Sequence, residues 1–170
     1  QVLTSNLPVE PTGIEFEIPI GREEVNGSVL TCRLPHSEVP VYFIQQNTYF
    51  DRGELYSISG VDYPDNCARF VFFCRAVMEL SAQLSTWPDL IHCNDWMTGL
   101  IPAYLRTEYA GRPGYENIAT ILTIHNLAYQ GIHSKEALDY AGIDSSHFSP
   151  LSPYEFYGNV NFLKAGIQLA

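Results

Sequence analysis

The residues best suited to chemistry in this 170-residue sequence are polar pairs that follow two apolar segments, Asp95-Trp96 and His125-Asn126. A carboxylate beside an indole suits a sugar, because the carboxylate accepts from hydroxyls and the ring packs on C–H groups. His125 offers a side chain that titrates near neutrality, next to an amide that both donates and accepts. Together these side chains favour a polyhydroxyl ligand such as a carbohydrate.

Each of these candidates also has a structural explanation. Asp95 stands where a carboxylate commonly caps a helix, and Trp96 could simply pack in the core. His125 could hydrogen-bond into the edge of a sheet, and residues 127–131 fit either a ligand loop or a turn closed by Gly131. The residues by themselves leave both explanations open. His92 lies inside an apolar segment, which favours a hydrogen-bonded core histidine over a catalytic one.

Other kinds of chemistry lack their usual patterns. The sequence has no Gly-x-Gly-x-x-Gly, no Gly-Lys-Ser/Thr and no Gly-x-Ser-x-Gly, which argues against nicotinamide, P-loop and serine-hydrolase sites. The four cysteines form no Cys-x-x-Cys pair, and the remaining histidines show no metal-ligand spacing, so buried thiols and no metal are expected. Lys164 stands alone on an apolar helix, and we expect it to extend to the surface.

Composition excludes further classes of function. Nine basic against 19 acidic residues give 9 − 19 = −10, and the cations are scattered, which argues against nucleic-acid binding. No apolar run approaches the roughly 20 residues of a membrane span. The start of the sequence has no signal-peptide pattern, so a cytoplasmic or plastid-stroma location is expected.

Local patterns predict an α/β fold. Val25-Asn26-Gly27-Ser28 predicts a tight turn between two strands, and Asp62 or Asp65 is available to cap a long, largely buried helix. Near-continuous apolar strands that alternate with helices predict a parallel sheet covered on both faces, with ligands at the carboxyl ends of its strands. The predicted strands span residues 14–20, 28–34, 39–44, 89–93 and 118–124; residues 46–61 form a loop; the helices span residues 64–86, 97–109 and 161–170.

Four segments, in order, resemble glycogen and starch synthases. They are Asp65-Asn66-Cys67-Ala68-Arg69-Phe70, the run from Asp89 to Leu105, Thr123-Ile124-His125-Asn126-Leu127-Ala128-Tyr129-Gln130-Gly131, and the run from Tyr157 to Ile167. The resemblance implies a Rossmann-like parallel sheet in the N-terminal half of a two-domain GT-B glycosyltransferase. Residues 1–170 would then be a partial N-terminal catalytic domain. Gln1 in place of Met, an apolar last helix and the lack of the family's Lys-Thr-Gly-Gly-Leu loop suggest truncation at both ends, without the C-terminal nucleotide-binding domain.

The same resemblance implies a reaction. Glucose would pass from ADP-glucose, or UDP-glucose in some relatives, to the 4-hydroxyl of an α-1,4-glucan, with retention at the anomeric carbon and without a metal or other cofactor. His125 would be catalytic, with its main-chain carbonyl facing developing positive charge. The acceptor glucan would contact Asp95, Trp96, Asn126 and Tyr56. Met97 stands where relatives commonly carry His, so one polar acceptor contact is not expected here.

The resemblance also limits what this chain can do by itself. We expect the 170 residues to be inactive without the C-terminal domain, because the cations that stabilise a departing nucleotide diphosphate are not among them. A sucrose- or trehalose-type glycosyltransferase is an alternative that the His125–Gly131 segment disfavours. A non-catalytic glucan-binding module that uses Trp96 and Tyr56 is the alternative outside enzymes.

Overall fold

The N-terminal part of the chain forms an antiparallel sheet. The computed structural model describes residues 7–170, so the expectation attached to Gln1 lies outside the described residues. Strands β1 (Glu10–Ile20), β2 (Glu23–Arg33) and β3 (Pro40–Gln45) pair in the order β1-β2-β3. This sheet packs its apolar face, centred on Ile18 and Val29, against the long helix that follows.

The turn predicted at Asn26-Gly27 is wrong. Ile20 pairs with Glu23, so the chain reverses at Gly21-Arg22, where Gly21 has a φ of 63°. Gly27 lies in the middle of β2, where a Cβ would come within 2.6 Å of the Phe72 ring. Glycine is therefore needed at position 27 for close packing, and at position 21 for the turn.

The segment predicted as a loop contains short elements, namely α1 (Asn47–Phe50), β4 (Ser57–Ile58) and the antiparallel β5 (Val61–Asp62). Helix α2 (Asn66–Gln83) follows and is buried on most of its circumference, as expected. The capping expected of Asp65 is not observed, since its side chain makes no cap bond. Its carboxylate instead accepts from Arg52, with 2.8 Å between Nη1 and Oδ1.

A parallel pair of strands forms the part of the fold that carries the candidate residues. Strand β6 (Leu90–Asn94) leads through a short 3-10 turn (Trp96–Thr98) into α3 (Leu100–Arg106), which is shorter than the predicted helix. The chain then returns through β7 (Ala119–Thr123), parallel to β6 as expected, with Asn94 opposite Thr123. Because both strands end at this pair, the residues that follow them emerge at the same edge of the sheet.

The C-terminal part begins with β8 (Ile132–His133) and α4 (Ala137–Ala141), and it ends with β9 (Glu155–Phe156), β10 (Asn159–Asn161) and α5 (Phe162–Leu169). The three strands pair antiparallel in the order β8-β10-β9, and α5 packs on α3. Lys164 does not extend to the surface as expected. Its Nζ donates to the carbonyls of Ser152 and Glu155, at 2.9 and 2.6 Å.

Most of the arginines pair with other groups of the same chain. Arg75 is only 5% exposed, and it donates to Glu108 at 2.7 Å and to the carbonyl of Ala141 at 2.9 Å. Salt bridges also join Arg33 to Glu38, Arg52 to Asp65, and Arg112 to Glu79 and Glu108. Within residues 7–170, no helix has the length and apolarity to cross a membrane, and no cluster of three potential metal ligands occurs.

Candidate functional site

The ends of β6 and β7 bring Asp95 and His125 into direct contact. The main-chain N–H of His125 donates to Oδ1 of Asp95 at 2.7 Å, and Nδ1 of the ring lies 2.9 Å from Oδ2. The main-chain N–H of Asp95 in turn donates to the carbonyl of Thr123 at 2.8 Å. One carboxylate thus fixes both the main chain and the ring of the histidine.

The backbone of Asp95 has an unusual conformation. Its φ of 59° and ψ of −173° lie in a region that is essentially reserved for glycine and costs another residue about 1–3 kcal/mol. Although Asp95 precedes the 3-10 turn, its side chain makes no capping bond. The capping explanation of Asp95 is therefore not what the structure has; the strained backbone instead aims the carboxylate at His125.

Asp95 is held as a carboxylate. Partial burial acts to raise its pKa, but hydrogen bonds from the main chain and ring of His125, and from the main chain of Asn126, outweigh burial and lower the pKa below its ordinary value. An ionised carboxylate only accepts, so Nδ1 of His125 carries a proton. The side chain of His125 is 61% exposed, which leaves its Nε2 free to meet a ligand.

An aromatic group lies next to this pair. The Tyr56 ring lies 6.0 Å from Trp96 and 5.4 Å from Tyr129, centroid to centroid, and the charge of Asp95 contributes to a raised pKa of Tyr56 behind burial, the largest cause. The structure thus brings Tyr56 to the site although it precedes β6 by more than 30 residues. Tyr129, which the sequence left as part of a ligand loop or a turn, is 47% exposed.

Trp96 packs against Tyr56 from the buried side of the aromatic group. The indole is only 3% exposed and packs edge-on against Phe70 at 4.7 Å, so the core-packing explanation of Trp96 is the observed one. A broad sugar-facing ring at this position is not what the structure has, and the exposed aromatic surface comes from Tyr56 and Tyr129. Any sugar contact of Trp96 itself stays a prediction.

The loop that links His125 to β8 is tightly built. Asn126 accepts from the main chain of Ala128 at 3.0 Å, and this turn leaves the rest of its side chain exposed. Gly131 has a φ of 61°, and a Cβ there would lie 2.3 Å from the Trp96 ring. Leu163 at the start of α5 donates its N–H to the carbonyl of Gln130 at 3.1 Å. The loop, Trp96 and α5 therefore hold one another in place.

His133 lies on the buried side of Trp96, and the sequence assigned it no role. Its ring lies 5.9 Å from Trp96 and 4.7 Å from Phe162, and its Nε2 is buried without a hydrogen-bond partner among the described residues. Burial lowers the pKa of His133 to about 4, against a small opposing influence of Asp62. An isolated histidine gives no sequence signal for such burial.

Two other residues lie beside the site. His92 is not in the core as expected; it lies on an exposed face of the strand pair, where Nε2 lies 2.7 Å from Oγ1 of Thr123. Met97 lines an apolar cleft of about 380 Å³ together with Phe43, Phe70 and other side chains. Met97 thus faces largely apolar surroundings, in keeping with the expectation that it makes no polar contact.

Comparison with known families gives one result over nearly the whole chain. The family described as starch synthase catalytic domain matches residues 6–170. Similar proteins include glycogen synthase 2 of Geobacter metallireducens, 42% identical over all of this chain and 34% of the relative. Glycogen synthase of Rhodopirellula baltica is 41% identical over 94% of this chain and 33% of the relative. The chain thus spans about a third of the length of the curated relatives it matches.

A solved structure has the same fold. The chain is similar to the catalytic domain of starch synthase IV from Arabidopsis thaliana bound to ADP and acarbose, with a TM-score of 0.81 and 26% identity, over 96% of this chain and 33% of that one. The predicted fold class, an α/β, Rossmann-like portion of a GT-B glycosyltransferase, is confirmed by this likeness and by the parallel β6–β7 pair.

Proposed function

Because the chain belongs to the starch synthase catalytic domain family, we propose that it forms the acceptor side of a retaining glycosyltransferase that elongates α-1,4-glucan with glucose from ADP-glucose. His125 is its catalytic residue. Asp95, Asn126 and Tyr56 contact the acceptor glucan, and the buried ring of Trp96 packs beside Tyr56 and supports its position. The enzyme acts in the cytoplasm, or in the plastid stroma of a plant or alga.

The observation that carries this proposal is the two-point contact between Asp95 and His125. A hydrogen bond to the main-chain N–H fixes the peptide of His125, and a second bond fixes its ring. Glycosyl transfer with retention passes through a state with positive charge at the anomeric carbon. The N–H of Asn126, which shares a peptide group with the carbonyl of His125, also bonds to Asp95, so this carbonyl is held where it stabilises that charge without reorganisation. Nε2 of the ring is left to meet a sugar hydroxyl.

The acceptor side of the proposal is supported by the chemistry of the neighbouring surface. Tyr56 and Tyr129 offer aromatic faces beside the Asp95 carboxylate, and Asn126 offers an exposed amide. Sugars combine apolar C–H faces with hydroxyl groups, so they match alternating rings and hydrogen-bonding groups. A net charge of −10 suits a neutral glucan better than an anionic ligand.

We further propose that the donor's diphosphate is bound by residues outside this chain. The chain spans about a third of its relatives' length, and the arginines described above are largely committed to internal partners. A nucleotide diphosphate needs unpaired cations or amide groups where its negative charge develops. Accordingly, the 170 residues bind glucan by themselves but do not transfer glucose.

The decisive experiment is to express the complete reading frame that contains this chain and to assay transfer of labelled glucose to glycogen. We expect transfer from ADP-glucose, and we expect it to fall about a hundredfold in Asp95→Asn, whose amide can no longer accept from both groups of His125. Glucan binding without any transfer from ADP- or UDP-glucose would point instead to a non-catalytic binding module. Transfer to fructose or glucose 6-phosphate in place of glucan would point to a sucrose- or trehalose-type enzyme.

A further inference from the structure

We propose that Asn66 and Arg69, in the first turns of α2, are positioning residues that hold Tyr56 in place for the acceptor glucan. This inference rests on the proposed function, since it takes Tyr56 to contact the acceptor. Neither residue belongs to the site itself. Both act through the main chain of the segment that carries Tyr56, residues 49–56.

The first observation is that both side chains are almost completely buried, Asn66 at 3% and Arg69 at 2% exposed. Burying an amide and a guanidinium is costly unless their N–H groups are paired. Helix α2 has an apolar environment over most of its surface, so hydrophobic side chains would fit these positions at lower cost. Their polar groups must therefore meet a specific need of the surrounding chain.

The two side chains supply hydrogen-bond donors to main-chain carbonyls of the segment 49–56. Arg69 donates from Nε to the carbonyl of Tyr49 at 2.7 Å, and from Nη2 to the carbonyl of Leu55 at 2.8 Å. Its third group, Nη1, donates to Oδ1 of Asn66 at 2.6 Å. With that oxygen engaged, the amide of Asn66 has one orientation, and its Nδ2 donates to the carbonyl of Tyr56 at 2.8 Å.

The carbonyl of Tyr56 also makes the main-chain hydrogen bond that closes the open end of the β4–β5 hairpin. It accepts the main-chain N–H of Tyr63 at 3.0 Å, while the N–H of Asn66 donates to the carbonyl of Tyr63 at 3.1 Å. The guanidinium of Arg69 lies over the Tyr63 ring, 5.0 Å from its centroid. The hairpin is thus anchored on the start of α2 at the residue whose ring reaches the site.

A fixed carbonyl constrains the ring because both leave the same residue. Once the main chain of Tyr56 is set, only two side-chain torsions remain, and contacts with Trp96 and Tyr129 select among them. Without the Asn66 donor, the segment can shift and the Tyr56 ring loses its place beside Tyr129. The cost then falls on acceptor binding rather than on donor binding.

The test uses the complete protein that contains this chain and the substitution Asn66→Asp. The new carboxylate keeps an acceptor for Arg69 but places an oxygen, instead of an N–H, against the carbonyl of Tyr56. At saturating ADP-glucose, we expect the KM for maltoheptaose to rise about five- to tenfold, the effect of one lost buried hydrogen bond. The KM for ADP-glucose stays within about twofold, and amide hydrogen exchange quickens in a peptide spanning residues 51–57.

Three further variants make the result decisive. Asn26→Asp introduces the same change on the exposed part of β2 and leaves every parameter unchanged. Tyr56→Ala raises the acceptor KM at least as much as Asn66→Asp. Should Asn66→Asp fail to fold, Asn66→Ala removes the same donor without adding charge, together with the acceptor for Nη1 of Arg69, and a rise in the acceptor KM at least as large is expected.

The outcomes separate this inference from the proposed function. A normal acceptor KM in folded Asn66→Asp, with a raised KM in Tyr56→Ala, would overturn the positioning role alone. A normal KM in Tyr56→Ala would overturn the acceptor role of Tyr56, and the positioning role with it. Equal rises in acceptor and donor KM would indicate a general loss of structure and would also overturn the proposal.

Discussion

Replacing Asp95 with glycine and with alanine separates two things that this residue does. Both variants lose the carboxylate that holds His125, and with it two hydrogen bonds of 2.7 and 2.9 Å. Glycine adopts a φ of 59° with a ψ of −173° without strain, whereas alanine does not. We therefore expect the two variants to share a functional defect but to differ in stability.

The size of the difference follows from the backbone conformation. Strain in this region costs alanine about 1–3 kcal/mol. Glycine has no such strain, but it lowers stability by about 0.5–1 kcal/mol because it raises the conformational entropy of the unfolded chain. Asp95→Gly should thus be about 1–2 kcal/mol more stable than Asp95→Ala. For a domain of this size, that corresponds to a Tm higher by about 2–8 °C.

The stability assay is thermal unfolding followed by circular dichroism, and the functional assay is glucose transfer by the complete protein. Asp139, an exposed residue of α4, supplies the control, because inside a helix glycine is less stable than alanine by about 1 kcal/mol and the order of the two variants is reversed. Transfer should fall about a hundredfold in both Asp95 variants. If Asp95→Ala is as stable as Asp95→Gly, or if Asp95→Gly transfers glucose at the wild-type rate, the reasoning is refuted.

Three more predictions concern neighbouring residues. His125→Ala should abolish most transfer, about a hundredfold or more, yet change the free energy of unfolding by less than about 1 kcal/mol, because its side chain is 61% exposed; a large drop in Tm would contradict this. Gly131→Ala should destabilise by about 2–4 kcal/mol in urea unfolding, since its Cβ would lie 2.3 Å from the Trp96 ring at a φ of 61°; an unchanged midpoint would argue against the tight contact. The pKa of His133 is lowered from 6.5 to about 4, so between these pH values the unfolded chain binds a proton that the folded chain does not. The free energy of unfolding therefore falls as the pH drops from 6.5 towards 4, by about 2 kcal/mol at pH 5. His133→Phe should remove this loss, so its Tm should differ less between pH 7 and pH 5 than the Tm of the wild type. An equal difference in the two proteins would contradict the role of His133.

The sequence predicts where the candidate site lies, but not how its residues are held in place. Apolar segments that end in polar residues place Asp95 and His125 at one edge of a parallel pair, and the structure has them there. The two-point contact between them was not predictable, since nothing in the sequence marks an aspartate that adopts a glycine conformation. The contact depends on a main-chain N–H, which carries no residue-type signal.

Other differences have physical reasons of the same kind. Asn26-Gly27 has the composition of a hairpin turn, but Gly21 offers the positive φ directly after the first strand, and the Phe72 ring needs the space at Gly27. The indole of Trp96 is drawn into the core by Phe70 and Gly131, which are distant along the chain. Tertiary packing of this sort overrides a local pattern.

The arginines that pair inside the protein have a consequence for the rate at which ligands arrive. With Arg52, Arg75 and Arg112 neutralised by nearby carboxylates, the long-range field of the chain is set by its acidic excess. A neutral oligosaccharide does no electrostatic work in that field, so its association rate should barely change with ionic strength. An anion is repelled until salt shortens the Debye length to about 8 Å or less, so dissolved salt acts on the two kinds of ligand very differently.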